Sequence, residues 1–180
     1  MSTTIKHTSS SSFSLPVERL GEAIIQVNHL TKTFGDFTAV KGITFDVYKG
    51  EIFGFLGANG AGKTTAMKML IGISKPTSGS AIVAGLDVAT QADLVKKSIG
   101  YMSQKFSLYD DLTIKENITF FGGIYGLSRK QIKEKTAQLI SELEMQNVAN
   151  NLVGSLPLGW KQKLSFSVSL LHEPKIVFLD

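Results

Sequence analysis

The chain has 180 residues, of which 43% are hydrophobic, and it carries a formal net charge of +4 and no cysteine. This composition suits about one globular domain and excludes a disordered chain, a disulfide-stabilised fold and a thiolate metal site. The lysines are scattered, so no nucleic acid partner is expected, and no apolar stretch reaches the ~18 to 20 residues that cross a bilayer.

The first 22 residues differ in composition from the rest and include a run of four serines at 9–12. They lack the apolar core, roughly 7 to 15 residues long, of a secretory signal. We therefore expect a flexible leader at 1–22, or the join to a preceding domain, followed by a domain at 23–180.

Strand-like patterns at residues 24–30 and 42–48, with a turn predicted at 31–36, indicate an antiparallel pair. Phe34 lies beside this turn, where its ring could stack on a base or pack on its own hairpin. The apolar run at 52–56 is typical of a buried strand.

Residues 57–64 read GANGAGKT and match the pattern G-x-x-x-x-G-K-[ST] at every fixed position. The glycines let backbone N–H groups point into one concavity, and the helix predicted at 63–72 adds its positive end. Such a concavity suits a polyphosphate. Lys63 would contact the β- and γ-phosphates, and the Thr64 hydroxyl would take one coordination position on Mg²⁺. The alternative, a Gly-rich turn with a stray lysine, rarely matches the whole pattern.

Beyond this helix the sequence predicts strands at 80–84 and 99–102, with a short helix at 91–97 between them. Gln104 follows the carboxyl end of the strand at 99–102, which is where ligands bind in open α/β sheets. It could reach a phosphate or Mg²⁺, although a single glutamine in a loop is most often solvated.

Two capping boxes, Thr113 with Glu116 and Ser128 with Gln131, predict two amphipathic helices that pack on one another. The segment 106–125 has more aromatic residues than one helix stripe needs. They serve either core packing or a surface that docks a partner: Phe106, Tyr109, Phe120, Phe121 and Tyr125.

A further helix is predicted at 159–172, with a structural His172 in its last turn and an apolar face made of Trp160, Leu164, Val168 and Leu171. The apolar run at 176–179 predicts a second buried parallel strand, which ends at Asp180. An acidic residue there is what a Mg²⁺ site beside a phosphate-binding loop needs.

In their order, these segments resemble the nucleotide-binding subunit of ATP-binding cassette (ABC) transporters, most closely the drug-efflux type, over residues 24–180. The motifs are VNHLTKTFG with Phe34, GANGAGKTT at 57–65, IGYMSQ ending at Gln104, LPLGWKQKL at 156–164 and KIVFLD ending at Asp180. The resemblance implies an α/β P-loop NTPase of ABC type. Its RecA-like parallel core sheet would follow an N-terminal antiparallel β subdomain and carry a helical subdomain at about 105–158.

The resemblance also implies site residues and cofactors, namely ATP and Mg²⁺. Phe34 would stack on adenine, Thr64, Gln104 and Asp180 would hold Mg²⁺, and Lys63, Gln104 and Asp180 would be catalytic. The residues implied to hold the nucleotide are Phe34, Gly57, Ala58, Asn59, Gly60, Ala61, Gly62, Lys63, Thr64, Thr65, Gln104 and Gly159.

The function implied by the resemblance is ATP binding and, in the complete protein, ATP hydrolysis that powers export across a membrane. The protein would be cytoplasmic and peripheral to the inner face of the membrane. It would contact a permease through its helical subdomain and pair with an identical or different second cassette. The alternatives are a module that binds ATP weakly without turnover and a soluble, non-transport ABC protein.

Two departures from the family pattern modify these expectations. Where the family has Leu-Ser-Gly-Gly-Gln, residues 156–160 read Leu-Pro-Leu-Gly-Trp, so Pro157 offers neither hydroxyl nor N–H and only Gly159 is retained. The family's glutamate after Asp180 and its switch histidine and strand are absent, so we expect a chain truncated at Asp180, with the C-terminal part missing. Residues 52–56 would then lack a neighbouring strand.

Overall fold

The structure is a computed structural model that describes residues 21–103 and 108–180. Nearly all of the predicted leader, together with Gln104 and Phe106, lies outside the described residues. The strands are β1 (Ala23–Phe34), β2 (Phe37–Tyr48), β3 (Ser78–Val83), β4 (Leu86–Asp87), β5 (Ile99–Met102) and β6 (Ile176–Leu179). The helices are α1 (Lys63–Leu70), α2 (Ala92–Ser98), α3 (Ile114–Ile124), α4 (Arg129–Glu142) and α5 (Leu158–Ser169), with short 3-10 helices at Gln146–Val148 and Val153–Ser155.

An antiparallel sheet with strand order β2-β1-β3-β4 forms the first part of the fold. The predicted antiparallel pair is therefore confirmed, but the turn predicted at 31–36 is wrong. β1 continues to Phe34, which pairs with Phe37, so the turn contains only Gly35 and Asp36. Gly35 has φ 54°, a left-handed conformation that favours glycine, and this lets the chain reverse within two residues.

A separate parallel pair, β5 with β6, lies beside this sheet, and both strands have the predicted bounds. In the described part of the chain no further strand joins this pair, so the predicted parallel core sheet is reduced to two strands. The fold thus combines an antiparallel β subdomain, a short parallel pair and packed helices.

The prediction of a buried strand at 52–56 is wrong. Ile52 is 100% exposed and Leu56 is 96% exposed, and no described strand pairs with this segment. The opposite side of the segment packs on β2, where the Phe53 ring stacks on the Phe45 ring with 4.8 Å between their centroids. An apolar run forms a doubly buried strand only when strands flank it, and this segment has no such neighbour in the described residues. These exposures agree with the expectation that it would be uncovered.

Two hydrophobic cores stabilise the molecule. The first joins β1, β2, β3, α1, α2 and β5 with Phe178 of β6, and the second joins α3, α4 and α5.

Both capping boxes are present with the expected hydrogen bonds, so α3 and α4 begin where the sequence predicts. None of the helices in the described ranges is both long and apolar enough to cross a membrane.

The helix predicted at 159–172 is shorter than expected, because α5 ends at Ser169. Leu164, Val168 and Leu171 are buried in the second core, as predicted. The placement of Trp160 on the same apolar face is wrong, since Trp160 is exposed with Leu158 in the first turn, outside that core. His172 lies beyond the end of the helix rather than in its last turn.

His172 nevertheless has a structural role, because it joins the two cores. Its ring stacks on Tyr125, which follows α3, at 3.9 Å between centroids. Its Nε2 donates a hydrogen bond to the Ile99 carbonyl at the start of β5, at 3.0 Å. With Nε2 protonated, Nδ1 is an acceptor, and it is buried without a hydrogen-bond partner among the described residues. Burial lowers the pKa of His172. The Ile99 hydrogen bond opposes this with a smaller effect, and the nearby Lys135 cation adds a still smaller lowering.

We predict that the free energy of unfolding falls as the pH is lowered from 8 to 5.5. Below the ordinary histidine pKa of about 6.5 the unfolded chain binds a proton at this position, whereas folded His172 resists protonation, so acid favours unfolding. The loss begins near the unfolded pKa and levels off below the folded one. Urea unfolding at a series of pH values measures it.

Replacement of His172 with Gln should remove most of this pH dependence while retaining an N–H donor for Ile99. The matched control is His29→Asn, because His29 is exposed and has φ 47°, a conformation that Asn tolerates. A wild-type slope in H172Q would contradict the prediction.

Candidate functional site

The glycine-rich loop at 57–62 lies against strand β2 and leads directly into α1. Gly62 caps this helix with φ 84°, and a Cβ at that position would lie 2.2 Å from the Ala39 carbonyl oxygen. Gly60 also has positive φ, 82°, but a Cβ there would meet no atom within 4 Å. Glycine is therefore required at position 62 for two reasons: its left-handed backbone conformation and the close approach of the loop to β2.

The Lys63 ammonium lies against the loop that precedes it. Its Nζ donates to the carbonyl oxygens of Gly57 and Ala58, at 2.6 and 2.8 Å. The loop also contains a turn, in which the Ala61 N–H donates a hydrogen bond to the Ala58 carbonyl oxygen at 3.2 Å. The cation and the N-terminus of α1 thus meet at one place, which is the charge arrangement that attracts an anion.

Asp180 meets Thr64 across a sequence separation of 116 residues. The Thr64 hydroxyl, in the first turn of α1, donates to Asp180 Oδ1 at 3.2 Å. The position of Asp180 follows from the parallel pair, because its N–H donates to Met102 O at 3.0 Å, directly beyond the paired ends of β5 and β6. The fold therefore brings the loop, the helix start and the acidic strand end together.

Tyr101 is a site neighbour that was not predicted from the sequence. It lies on β5 opposite Phe178, is half-buried, and is close enough to Asp180 for the carboxylate charge to act on its hydroxyl. Burial raises the pKa of Tyr101, and the negative charge of Asp180 raises it further, so the phenol stays protonated. One signal was available, since a hydroxyl-bearing residue within the apolar strand IGYM needs a partner when it is half-buried.

The residues at this site have the chemistry that Mg²⁺ requires. The Thr64 hydroxyl and the Asp180 carboxylate are hard oxygen donors, and the 3.2 Å between their oxygens would let one cation contact both. Mg²⁺ commonly uses only one or two protein oxygens and takes its remaining ligands from phosphates and water.

The remaining residues predicted to bind nucleotide are not all close to Thr64 and Asp180. Thr65 follows Thr64 in α1, and Asn59 lies in the loop. Phe34 is 54% exposed and pairs with Phe37, two residues along β2 from the Ala39 that contacts Gly62. The Lys32 ammonium lies 5.0 Å from the Phe34 ring centroid. Gly159 is exposed in the first turn of α5, where a Cβ would meet no atom within 4 Å, so the structure does not bring it to the loop.

The chain is similar to several known proteins. The family model for the ABC transporter matches residues 40–180. The "Probable multidrug ABC transporter ATP-binding protein YbhF" of Escherichia coli (strain K12) is 46% identical over 160 residues, which is 89% of this chain and 28% of that protein. The "Nod factor export ATP-binding protein I" of Rhizobium sp. (strain N33) is 35% identical over 89% of this chain and 53% of that protein.

A solved structure, "Structure of ATP binding subunit of ABC transporter", matches with a TM-score of 0.77 and 26% identity. The match covers 87% of this chain and 65% of that chain. This chain therefore spans less than two thirds of the length of each of these relatives.

We predict that Gly62→Ala lowers the free energy of unfolding more than Gly60→Ala does. An alanine at either position pays roughly 1 to 2 kcal/mol for the left-handed conformation. At Gly62 the new methyl also collides with the Ala39 carbonyl, so loop and strand must separate. Urea unfolding measures both losses, and equal losses would show that the contact with Ala39 does not constrain the loop.

Proposed function

The chain belongs to the ABC transporter family, whose ATP-binding domain it carries, and we propose that it binds ATP together with Mg²⁺. Lys63 and the loop at 57–65 would hold the phosphates, and Phe34 would stack on the adenine ring. Thr64 and Asp180 would hold Mg²⁺, with Gln104 as a further ligand. The bound cation would neutralise charge on the phosphates.

The observation that carries this proposal is the 3.2 Å hydrogen bond between Thr64 and Asp180, at the start of the helix whose preceding loop binds the Lys63 ammonium. The alternative, a glycine-rich turn with a stray lysine, does not explain why the helix after the loop binds a carboxylate 116 residues away in the sequence. Cation, hydroxyl and carboxylate together provide a positive charge for phosphate and hard oxygens for its metal ion. The proposal therefore rests on three side chains and on the fold that brings them together.

We propose further that the whole protein hydrolyses ATP to power export through a membrane permease, at the inner face of the membrane. This extension rests on relatives whose names describe multidrug and Nod factor export ATP-binding proteins. Gly159 and its segment would contact a nucleotide on a second, facing cassette, which fits the exposure of that turn.

We predict that Lys63→Ala weakens MgATP binding by roughly 10- to 100-fold, since a hydrogen bond to a charged group is worth about 1.5 to 3 kcal/mol. Titration calorimetry of the full chain with ATP and excess Mg²⁺ measures the dissociation constant. The matched control is Lys68→Ala, an exposed lysine in the last turn of the same helix. Equal affinity in the wild type and K63A, or no binding by a folded wild type, would refute the proposed function.

An exposed apolar surface on the helical part is the proposed contact with the permease. It consists of Tyr109, Phe120 and Ile124, which are 46%, 40% and 55% exposed. Tyr109 and Phe120 pack edge to face at 4.9 Å, and the loop that carries Tyr109 is held by the fully buried Asn117, which exchanges hydrogen bonds with the Tyr109 backbone. Phe121 and Tyr125 pack in the second core instead. The surface is therefore both apolar and firmly held, as a docking site should be.

We predict that Phe120→Ser reduces the fraction of the whole protein that sediments with membranes containing its permease by several-fold, because hot-spot aromatics dominate such contacts. MgATP binding should be unchanged. Phe166→Ser is the control, since Phe166 is equally exposed, at 40%, but lies on α5 outside this surface. Identical sedimentation of both variants would exclude this surface as the contact.

A further inference from the structure

A surface groove of about 590 Å³ lies between α3 and α4. The two helices are joined by residues 125–128 only, so they run in opposite directions, and Gly122 near the end of α3 lies against Ile132 in the first part of α4. The α4 residues that line the groove extend from Arg129 to Ile140, which is about 16 Å or roughly three helical turns. The groove is therefore long enough to hold a short helix.

The floor of this groove is apolar. Ile132, Ala137 and Ile140 of α4 line it, and Ala137 is exposed. Thr136 lines it too, but its hydroxyl oxygen is buried and has no hydrogen-bond partner among the described residues, so Thr136 presents carbon to the groove. Because alanine and threonine are small, another backbone can approach this floor closely. Such a floor suits the apolar stripe of an amphipathic helix.

Three exposed cations line the same groove. Lys115 lies in the first turn of α3 and Arg129 begins α4, so these two side chains belong to opposite ends of the groove. Lys133 follows Arg129 by one helical turn. In the described part of the chain none of the three forms an ion pair, whereas Lys130, Lys135 and Lys161 each do. The groove therefore carries positive charge that nothing in residues 21–103 and 108–180 neutralises.

The acidic side chains of α3 and α4 do not offset this charge. Glu116 accepts a hydrogen bond from the Thr113 N–H in the first capping box. Glu134 lies 4.0 Å from Lys130. Glu142 accepts a hydrogen bond from a side chain one turn earlier, at 2.7 Å. None of these carboxylates lines the groove, which is thus positive towards both ends and apolar between them.

We propose that this groove docks an acidic amphipathic helix of a partner protein. Apolar side chains spaced at i, i+4 and i+7 on such a helix would cover the floor of the groove. Its carboxylates would pair with Arg129 and Lys133 at one end and with Lys115 at the other. A single small anion cannot reach both ends of a groove about 16 Å long, and a flat bilayer surface does not fill a concave floor. The charge and the shape of the groove therefore favour a helix.

This docking site is separate from the exposed aromatic surface that is proposed to contact the permease. Tyr109, Phe120 and Ile124 form that surface, and none of them lines the groove. The groove also contains no residue proposed to bind nucleotide or Mg²⁺. The inference therefore does not rest on the proposed function, and either one can fail without the other.

The test measures the binding of two labelled helical peptides to the full chain by fluorescence anisotropy. Both peptides are about 15 residues long, with leucines at i, i+4 and i+7, and they differ only in having glutamates or lysines beside this stripe. The glutamate peptide should bind roughly tenfold more tightly than the lysine peptide. Lys133→Glu should weaken its binding roughly tenfold, because a favourable charge pair becomes a repulsive one.

The matched control is Lys130→Glu, which makes the same charge change on the same helix at an 85% exposed side chain that does not line the groove. This variant should retain most of the wild-type affinity for the peptide. Ala137→Phe should also abolish binding, since the larger ring fills the floor. MgATP binding and the midpoint of thermal unfolding should be similar in K133E and K130E.

Three results would overturn the proposal. One is equal binding of the two peptides, and another is equal loss of glutamate-peptide binding in K133E and K130E. The third is failure of the glutamate peptide to bind the folded wild type. In that case two further probes identify the occupant: dodecanoate binding that K133E weakens would indicate a small anionic ligand, and sedimentation with phosphatidylserine vesicles that K133E weakens would indicate a lipid surface.

Discussion

The parallel pairing of β5 with β6 is the contact on which the candidate site depends. It places Tyr101, Met102 and Asp180 at one end of a two-stranded sheet, and the Asp180 N–H is tied to Met102. The burial of α1 in the first core then brings Thr64 within 3.2 Å of the Asp180 carboxylate. The site is therefore a product of the sheet and the helix together.

A continuous series of side-chain contacts joins the exposed aromatic surface to this site. Tyr109 packs on Phe120, Phe120 on Phe121, and Phe121 on Tyr125, with ring centroids 4.9, 5.4 and 6.4 Å apart. Tyr125 stacks on His172, which is bonded to the Ile99 carbonyl, two residues before Tyr101. The two cores therefore meet at β5 through the Tyr125–His172 stack and the hydrogen bond from His172 to Ile99.

The features that could be predicted from the sequence depend on neighbouring residues. The capping boxes of Thr113 and Ser128 satisfy helix N–H groups within three residues, so the starts of α3 and α4 could be identified from the sequence. The loop at 57–64 is equally local, since its glycines and lysine act over one turn. The features that were predicted wrongly depend on distant partners. Residues 52–56 form a buried strand only if other strands flank them, and Trp160 is exposed because α5 enters the second core only from Leu164 onwards.

The sequence alone therefore determined the glycine-rich loop, the order of the motifs and most helix and strand positions, because spacing and side-chain type decide these within a few residues. Only the tertiary structure decided that Asp180 bonds to Thr64, that Gly62 must be glycine because Ala39 lies against it, and that Tyr101 lies near Asp180. Each of these depends on strand register and on the packing of elements that are far apart in the chain. A local pattern carries no information about such distances.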